Sequence, residues 1–148
     1  MTIDWAGLRR IIDDHQSFIL TTHIRPDCDA IGSTLALSHI LRRLHKETVC
    51  LADFEVPPNL KFLDPNGEIH RLGHPRTEEW RASAEALVVL DTSAWAQLGD
   101  MANFLRDFPR TKIVLDHHIS GDDLGARFFK DTRAEATGRI VAELADEL

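Results

Sequence analysis

Apolar residues recur along this chain in two rhythms, and the alternation between them predicts the order of elements. From Thr2 to His15, Ile3, Leu8, Ile11 and Ile12 fall at helical spacing, with Thr2 placed to cap the helix. Ser17 to Thr22 gathers Phe, Ile, Leu and Thr into a run that predicts a short buried strand. A loop over Pro26 to Gly32 leads into a second helix, capped by Ser33 and running to about His45. Leu35, Leu37, Ile40, Leu41 and Leu44 give that helix a face to pack on a sheet. Glu47 to Ala52 is the next strand and closes a βαβ unit whose crossover should be right-handed. Val56-Pro57-Pro58-Asn59 then breaks the pattern, which stays weak to the His74-Pro75-Arg76 loop. Beyond it follow a helix over Glu78 to Glu85, a strand over Ala86 to Leu90, and a helix near Asp100 to Phe108. Lys112 to Leu115 and Ala126 to Phe129 are further strands, and Ala134 to Leu148 is an amphipathic helix. Helices alternating with strands predict an α/β fold, a mainly parallel sheet flanked by helices on both faces. The last helix reaches Leu148 without a Gly, Asn or Pro terminator, which suits a fragment of a longer polypeptide as well as a fraying end.

Composition narrows the function classes. A length of 148 residues with 43% hydrophobic content suits one core and one domain. The net charge of −7 argues against the broad basic surface that duplex nucleic acid needs. A small phosphate substrate stays open, because bound metal ions reverse the charge within a site. Two cysteines, Cys28 and Cys50, imply no disulfide framework and point to a reducing cytoplasm. Asp4, Arg9, Arg10, Asp13 and Asp14 interrupt the N-terminus early, so neither a signal peptide nor a membrane span is expected.

Three strand ends carry the chemistry. His23 precedes Asp27 and Asp29, Asp91 follows Leu90, and Asp116-His117-His118 follows Leu115. Parallel strands bring their carboxyl ends to one edge of a sheet, where open α/β folds bind ligands. A mixed imidazole and carboxylate set suits Mn²⁺, Zn²⁺ or Fe²⁺ better than Ca²⁺. His23 and Asp27 suit one ion, and Asp91 suits a carboxylate bridging two. Adjacent histidines at a strand end diverge, so one can bind metal while the other faces substrate, with Asp116 orienting an imidazole. Pro26 stiffens the first loop, and Gly32 is expected to allow a conformation or close approach that a side chain would block. Each segment has a structural reading as well: Asp29 as a helix cap, Asp91 as another, Asp116-His117-His118 as an exposed polar turn. Seven such groups at three strand ends favour phosphoryl chemistry, in which two cations activate water and neutralise phosphate oxygens.

These segments resemble the three N-terminal motifs of the DHH phosphoesterase superfamily, and within it the bacterial nanoRNase and pAp-phosphatase (bifunctional oligoribonuclease) group. The first motif is His23 to Ser33 followed by Thr34-Leu35-Ala36-Leu37, the second Asp91-Thr92-Ser93, the third Asp116-His117-His118. The resemblance implies that His23, Asp27 and Asp91 hold one Mn²⁺, and that Asp29, Asp91 and His117 hold a second. Mg²⁺ or Co²⁺ would be substitutes. It implies that His118 faces the scissile phosphate or leaving group and that Asp116 supports it or serves in acid–base chemistry. The implied activity is hydrolysis of short single-stranded RNA from the 3′ end, or of 3′-phosphoadenosine 5′-phosphate, by a cytoplasmic enzyme, commonly a homodimer. Inorganic pyrophosphate hydrolysis of the related Mn²⁺ type is the alternative, and a catalytically incomplete metal- or nucleotide-binding fragment is another. Residues 1–148 would form the DHH domain, truncated before a fourth, Thr-Asp-Thr-Gly-like motif, with the C-terminal substrate-binding domain absent. Cys28 stands where the family often has glycine, and Gln97-Leu98-Gly99 where many relatives begin with arginine.

Other features read plainly. Trp5, Trp80 and Trp95 cover core edges, with Trp95 near enough to Asp91 to line the cleft. Arg42, Arg43, His45 and Lys46 form a solvated helix end. His15, His39, His70 and His74 lack ligand spacing, and Arg133 and Arg139 are either phosphate contacts or surface charge.

Overall fold

The protein's structure, a computed structural model, describes residues 2–148. Six strands, all paired in parallel, form one sheet: β1 (Ser17–Thr21), β2 (Glu47–Ala52), β3 (Ile69–Arg71), β4 (Ala86–Leu90), β5 (Thr111–Asp116) and β6 (Arg127–Lys130). Their order across the sheet is β3-β2-β1-β4-β5-β6. The chain builds outward from β1 to β3 and then returns to set β4 on the other side of β1. Connections from neighbouring strands therefore leave in opposite directions, which opens a crevice at their carboxyl ends.

Side chains alternate between two faces, as the pleat requires. Phe18, Leu20, Val88, Leu90, Ile113 and Leu115 pack with α1 (Trp5–Asp14), α2 (Cys28–Arg43) and α5 (Thr137–Glu147). Ile19, Leu87, Val89 and Val114 pack with α3 (Thr77–Ser83) and α4 (Met101–Asp107). The expected α/β sandwich is therefore present, and its central strands are buried on both faces, so they read as unbroken apolar runs. Register sets the functional edge: Thr21 lies beside Val89, and Leu90 beside Leu115. The residues that follow β1, β4 and β5 thus emerge side by side.

Several local expectations change. Asp4, not Thr2, caps α1, accepting from the Gly7 amide at 2.8 Å. The second helix starts at Cys28 rather than after Ser33, because the Asp27 carboxylate takes the Ala30 amide at 2.8 Å. Most of the expected Pro26 to Gly32 loop is thereby helix, and Ser33 is buried inside it. Gly32 has no positive φ and a Cβ there would meet nothing, so no conformational need explains it. The weakly patterned region holds a 3-10 helix (Pro58–Leu63) and β3, whose three residues Ile-His-Arg are too few to show a period. The final helix starts at Thr137, three residues later than its pattern suggests. Among the described residues, no helix is long and apolar enough to cross a membrane.

Candidate metal centre

Asp91 stands at the crevice between β1 and β4 and is 2% exposed. Its backbone is left-handed, with φ of 64°, a conformation costing an L-residue roughly 1–2 kcal/mol. The turn is held on both sides: the Asp91 amide donates to Leu115 O at 3.0 Å, and Thr22 Oγ1 donates to Leu90 O at 2.8 Å. Such strain concentrates where structure must aim a side chain, and here it aims a carboxylate between two imidazoles.

The two imidazoles are oriented alike. His23 Nδ1 donates to Ile24 O at 2.8 Å, which leaves Nε2 3.3 Å from Asp91 Oδ2 and 4.0 Å from Asp27 Oδ1. His117 Nδ1 donates to Ala134 O at 3.2 Å, which leaves Nε2 3.3 Å from Asp91 Oδ1 and 3.6 Å from Asp29 Oδ2. A histidine whose Nδ1 is tied to a carbonyl offers the lone pair of Nε2, the arrangement metal-ligating histidines use. Two ligand groups result, His23/Asp27/Asp91 and Asp91/His117/His118, each with its donor atoms within 4.8 Å of one another. They share only Asp91, one oxygen facing each. This donor set fits divalent first-row cations.

Asp29 is placed differently from a simple ligand. Its Oδ2 accepts from the Thr137 amide at 2.9 Å and its Oδ1 from the Gly138 amide at 2.8 Å. It therefore caps α5 from outside, where the helix has no side-chain cap of its own. Burial pushes its carboxyl above the usual range, against the lowering effect of those two amides. His23 is pushed up as well, chiefly by its bond to Asp91, with burial opposing.

His117 and His118 do not diverge: their ring centroids are 4.3 Å apart. The reason is Asp116, fully buried, whose Oδ1 accepts from the His117 amide (2.9 Å), the His118 amide (3.2 Å) and His118 Nδ1 (2.7 Å). That carboxylate folds the turn tightly and turns both rings toward Asp91. A cleft of about 330 Å³ opens beside them, lined by His23, Asp27, Asp91, Thr92, Ser93, Gln97, His118 and Ser120.

Three contributors escaped sequence reasoning. Thr137 Oγ1, fully buried, donates to Asp91 Oδ1 at 3.0 Å; a threonine opening a helix was its only signal. Ser93 Oγ donates to Asp116 Oδ2 at 2.9 Å, and Lys130 Nζ lies beside both. Lys130 carried no signal beyond its place at a strand end. Trp95 does not line the cleft: its indole donates to Asp123 O at 3.2 Å and Arg106 stacks over its ring. Arg139 is held by Glu135 and Glu143, and Arg133 by Asp131, away from the centre. His15, His39, His70 and His74 likewise have partners elsewhere.

Residues 17–148 match the DHH family, N-terminal domain. The bifunctional oligoribonuclease and PAP phosphatase NrnA of Bacillus subtilis (strain 168) is 30% identical over 139 residues, covering 93% of this chain and 40% of that protein. The protein of the same name from Thermus thermophilus is 32% identical over 136 residues, covering 87% of this chain and 36% of its own. Among solved structures, an exopolyphosphatase-related protein from Bacteroides fragilis superposes with a TM-score of 0.86 at 22% identity, over 95% of this chain and 42% of that one. The last likeness concerns the fold. This chain spans about 40% of the length of the proteins it matches.

Proposed function

Since the chain belongs to the DHH family, matching its N-terminal domain, we propose that it is the metal-binding catalytic domain of a phosphoesterase acting on short oligoribonucleotides or 3′-phosphoadenosine 5′-phosphate. The observation that carries this reading is a buried Asp91 shared by two imidazole–carboxylate groups at the crevice. His23, Asp27 and Asp91 would hold one ion, and Asp91 and His117 a second, with Asp29 or His118 completing it. Mn²⁺, Zn²⁺ or Fe²⁺ suit this set, Mn²⁺ being the ion that the family resemblance implies, and bound there the cations would polarise a phosphate ester and acidify the attacking water. The chain's own residues prepare for that. The carbonyls of Ile24 and Ala134 orient both rings with Nε2 toward Asp91, and Thr137 fixes the Asp91 carboxylate. His118 lines the cleft with Thr92 and Ser93, and in this reading it would face the scissile phosphate or leaving group.

As for domain organisation, residues 17–148 match the DHH N-terminal domain, and the chain spans about 40% of the length of the proteins it matches. Mn²⁺-dependent hydrolysis of 5′-pApA, beside Asp91→Ala and beside pyrophosphate, tests the reading. Turnover of the dinucleotide that vanishes in the variant supports it. Faster turnover of pyrophosphate would move the assignment to that substrate. Equal hydrolysis by the variant would end the assignment.

A further inference from the structure

A chain of polar groups runs away from the centre and ends on a lysine. Lys130 closes β6 directly beside Asp116 in the register of the sheet. Its Nζ lies 3.1 Å from Ser93 Oγ, 3.3 Å from Ser120 O and 3.6 Å from Asp116 Oδ2. Ser93 Oγ lies 2.9 Å from Asp116 Oδ2, and Asp116 Oδ1 lies 2.7 Å from His118 Nδ1. Gly121 makes room for this packing, since a Cβ there would overlap the Ser93 side chain.

We propose that Lys130 is a positioning residue that, through Ser93 and Asp116, fixes the orientation and hydrogen-bond polarity of His118. The direction of each bond follows from the groups themselves. An ammonium has donors and no acceptor, so Ser93 Oγ accepts from Lys130. Ser93 has two acceptors for its own proton, Asp116 Oδ2 at 2.9 Å and Ser120 O at 3.4 Å. Lys130 donates to the Ser120 carbonyl as well, and Asp116 Oδ2, the nearer and charged acceptor, takes the Ser93 proton. The carboxylate, fully buried and with a cation beside it, accepts at both oxygens. His118 Nδ1 therefore carries its hydrogen, and Nε2 presents a lone pair toward Asp91 and the cleft. Without the lysine, Ser93 Oγ loses the donor that fixes its rotamer and the buried Asp116 carboxylate loses the cation beside Oδ2, so the group that holds His118 Nδ1 is less well satisfied. The consequence for metal affinity rests on the reading proposed above; the bond polarity does not.

The test is long-range proton–nitrogen NMR of the His118 ring in metal-free protein at about pH 8, above the ordinary imidazole range, for wild type, Lys130→Met, Lys130→Arg and Ser93→Ala. The expected result is the Nδ1–H form in wild type, a mixture of ring forms in Lys130→Met and Ser93→Ala, and recovery in Lys130→Arg. Mn²⁺ titration of the same samples should show affinity about tenfold weaker in Lys130→Met, the scale on which outer partners tune ligating histidines. An identical His118 ring pattern in wild type, Lys130→Met and Ser93→Ala overturns the proposal. If Lys130→Met does not fold, Ser93→Ala decides the matter alone, because it cuts the chain while keeping the lysine. A wild type that takes up no Mn²⁺ sinks the metal-centre reading, and the ring pattern still decides the role of Lys130.

Discussion

The two ligand groups on either side of Asp91 are built in opposite ways. His23 and Asp27 come from one short stretch between β1 and α2, and Asp27 is 66% exposed. His117 and His118 sit in a knot of distant residues: Ala134 behind His117, Thr137 on Asp91, Ser93 and Lys130 behind Asp116. The first group is local and, at Asp27, open to solvent, its ligands held only by neighbours in the same stretch. The second is braced by four residues distant in the chain and arrives preorganised. A phosphoesterase of this design would hold one ion in a braced seat and the other at the solvent-facing side.

Removing the shared residue should have the largest effect. Asp91→Ala takes a ligand from both groups, so both Mn²⁺ events in a calorimetric titration should weaken by more than about 100-fold. Loss of only one event would mean that the groups do not share it. Thr137→Val discriminates between the sides: it strips a donor from Asp91 Oδ1 and should weaken the His117-side ion by about tenfold while sparing the His23-side ion. Equal weakening at both would erase the asymmetry.

Asp29→Ala should lower stability by about 1 kcal/mol in denaturant unfolding, as the external cap on the Thr137 and Gly138 amides of α5 is lost. A change confined to metal binding would instead mark Asp29 as a ligand only. The His23 side carries a pH signature. Its folded-state pKa is raised by Asp91, so its contribution to the metal-free protein is fully present below about 6.5 and fades as pH rises through the raised value. The stability gap between wild type and His23→Gln should narrow over that window, whereas Mn²⁺ affinity should grow as the competing proton leaves. The smallest effect is in thiol labelling. Cys28, exposed on the open side, should react, while Cys50, buried with its thiol pushed up to about 12, should stay silent until unfolding.

The same contrast explains what could be read in advance. Strands β1, β4 and β5 are buried on both faces, so continuous apolar runs such as Ala86 to Leu90 announced them and the acids behind them. His23, Asp27, Asp29, Asp91, Asp116, His117 and His118 were all legible because each follows such a run. The bracing was not, since it joins Asp91 to Thr137 across 46 positions and Ser93 to Lys130 across 37. Nor was the cap of α2: Asp27 and Ser33 are both competent types, and only the path of the chain out of β1 decides that Asp27 meets a free amide first. Strand β3, with His70 and Arg71 in its three residues, has no pattern to read.

The central claim is that Asp91 joins two metal seats into one centre. Electron paramagnetic resonance during Mn²⁺ titration of the wild-type chain addresses it directly. A first equivalent should give the signal of an isolated ion, and a second should convert it to that of a coupled pair, a conversion absent in Asp91→Ala. Two independent, uncoupled signals in the wild type, or an unchanged titration in the variant, would contradict it.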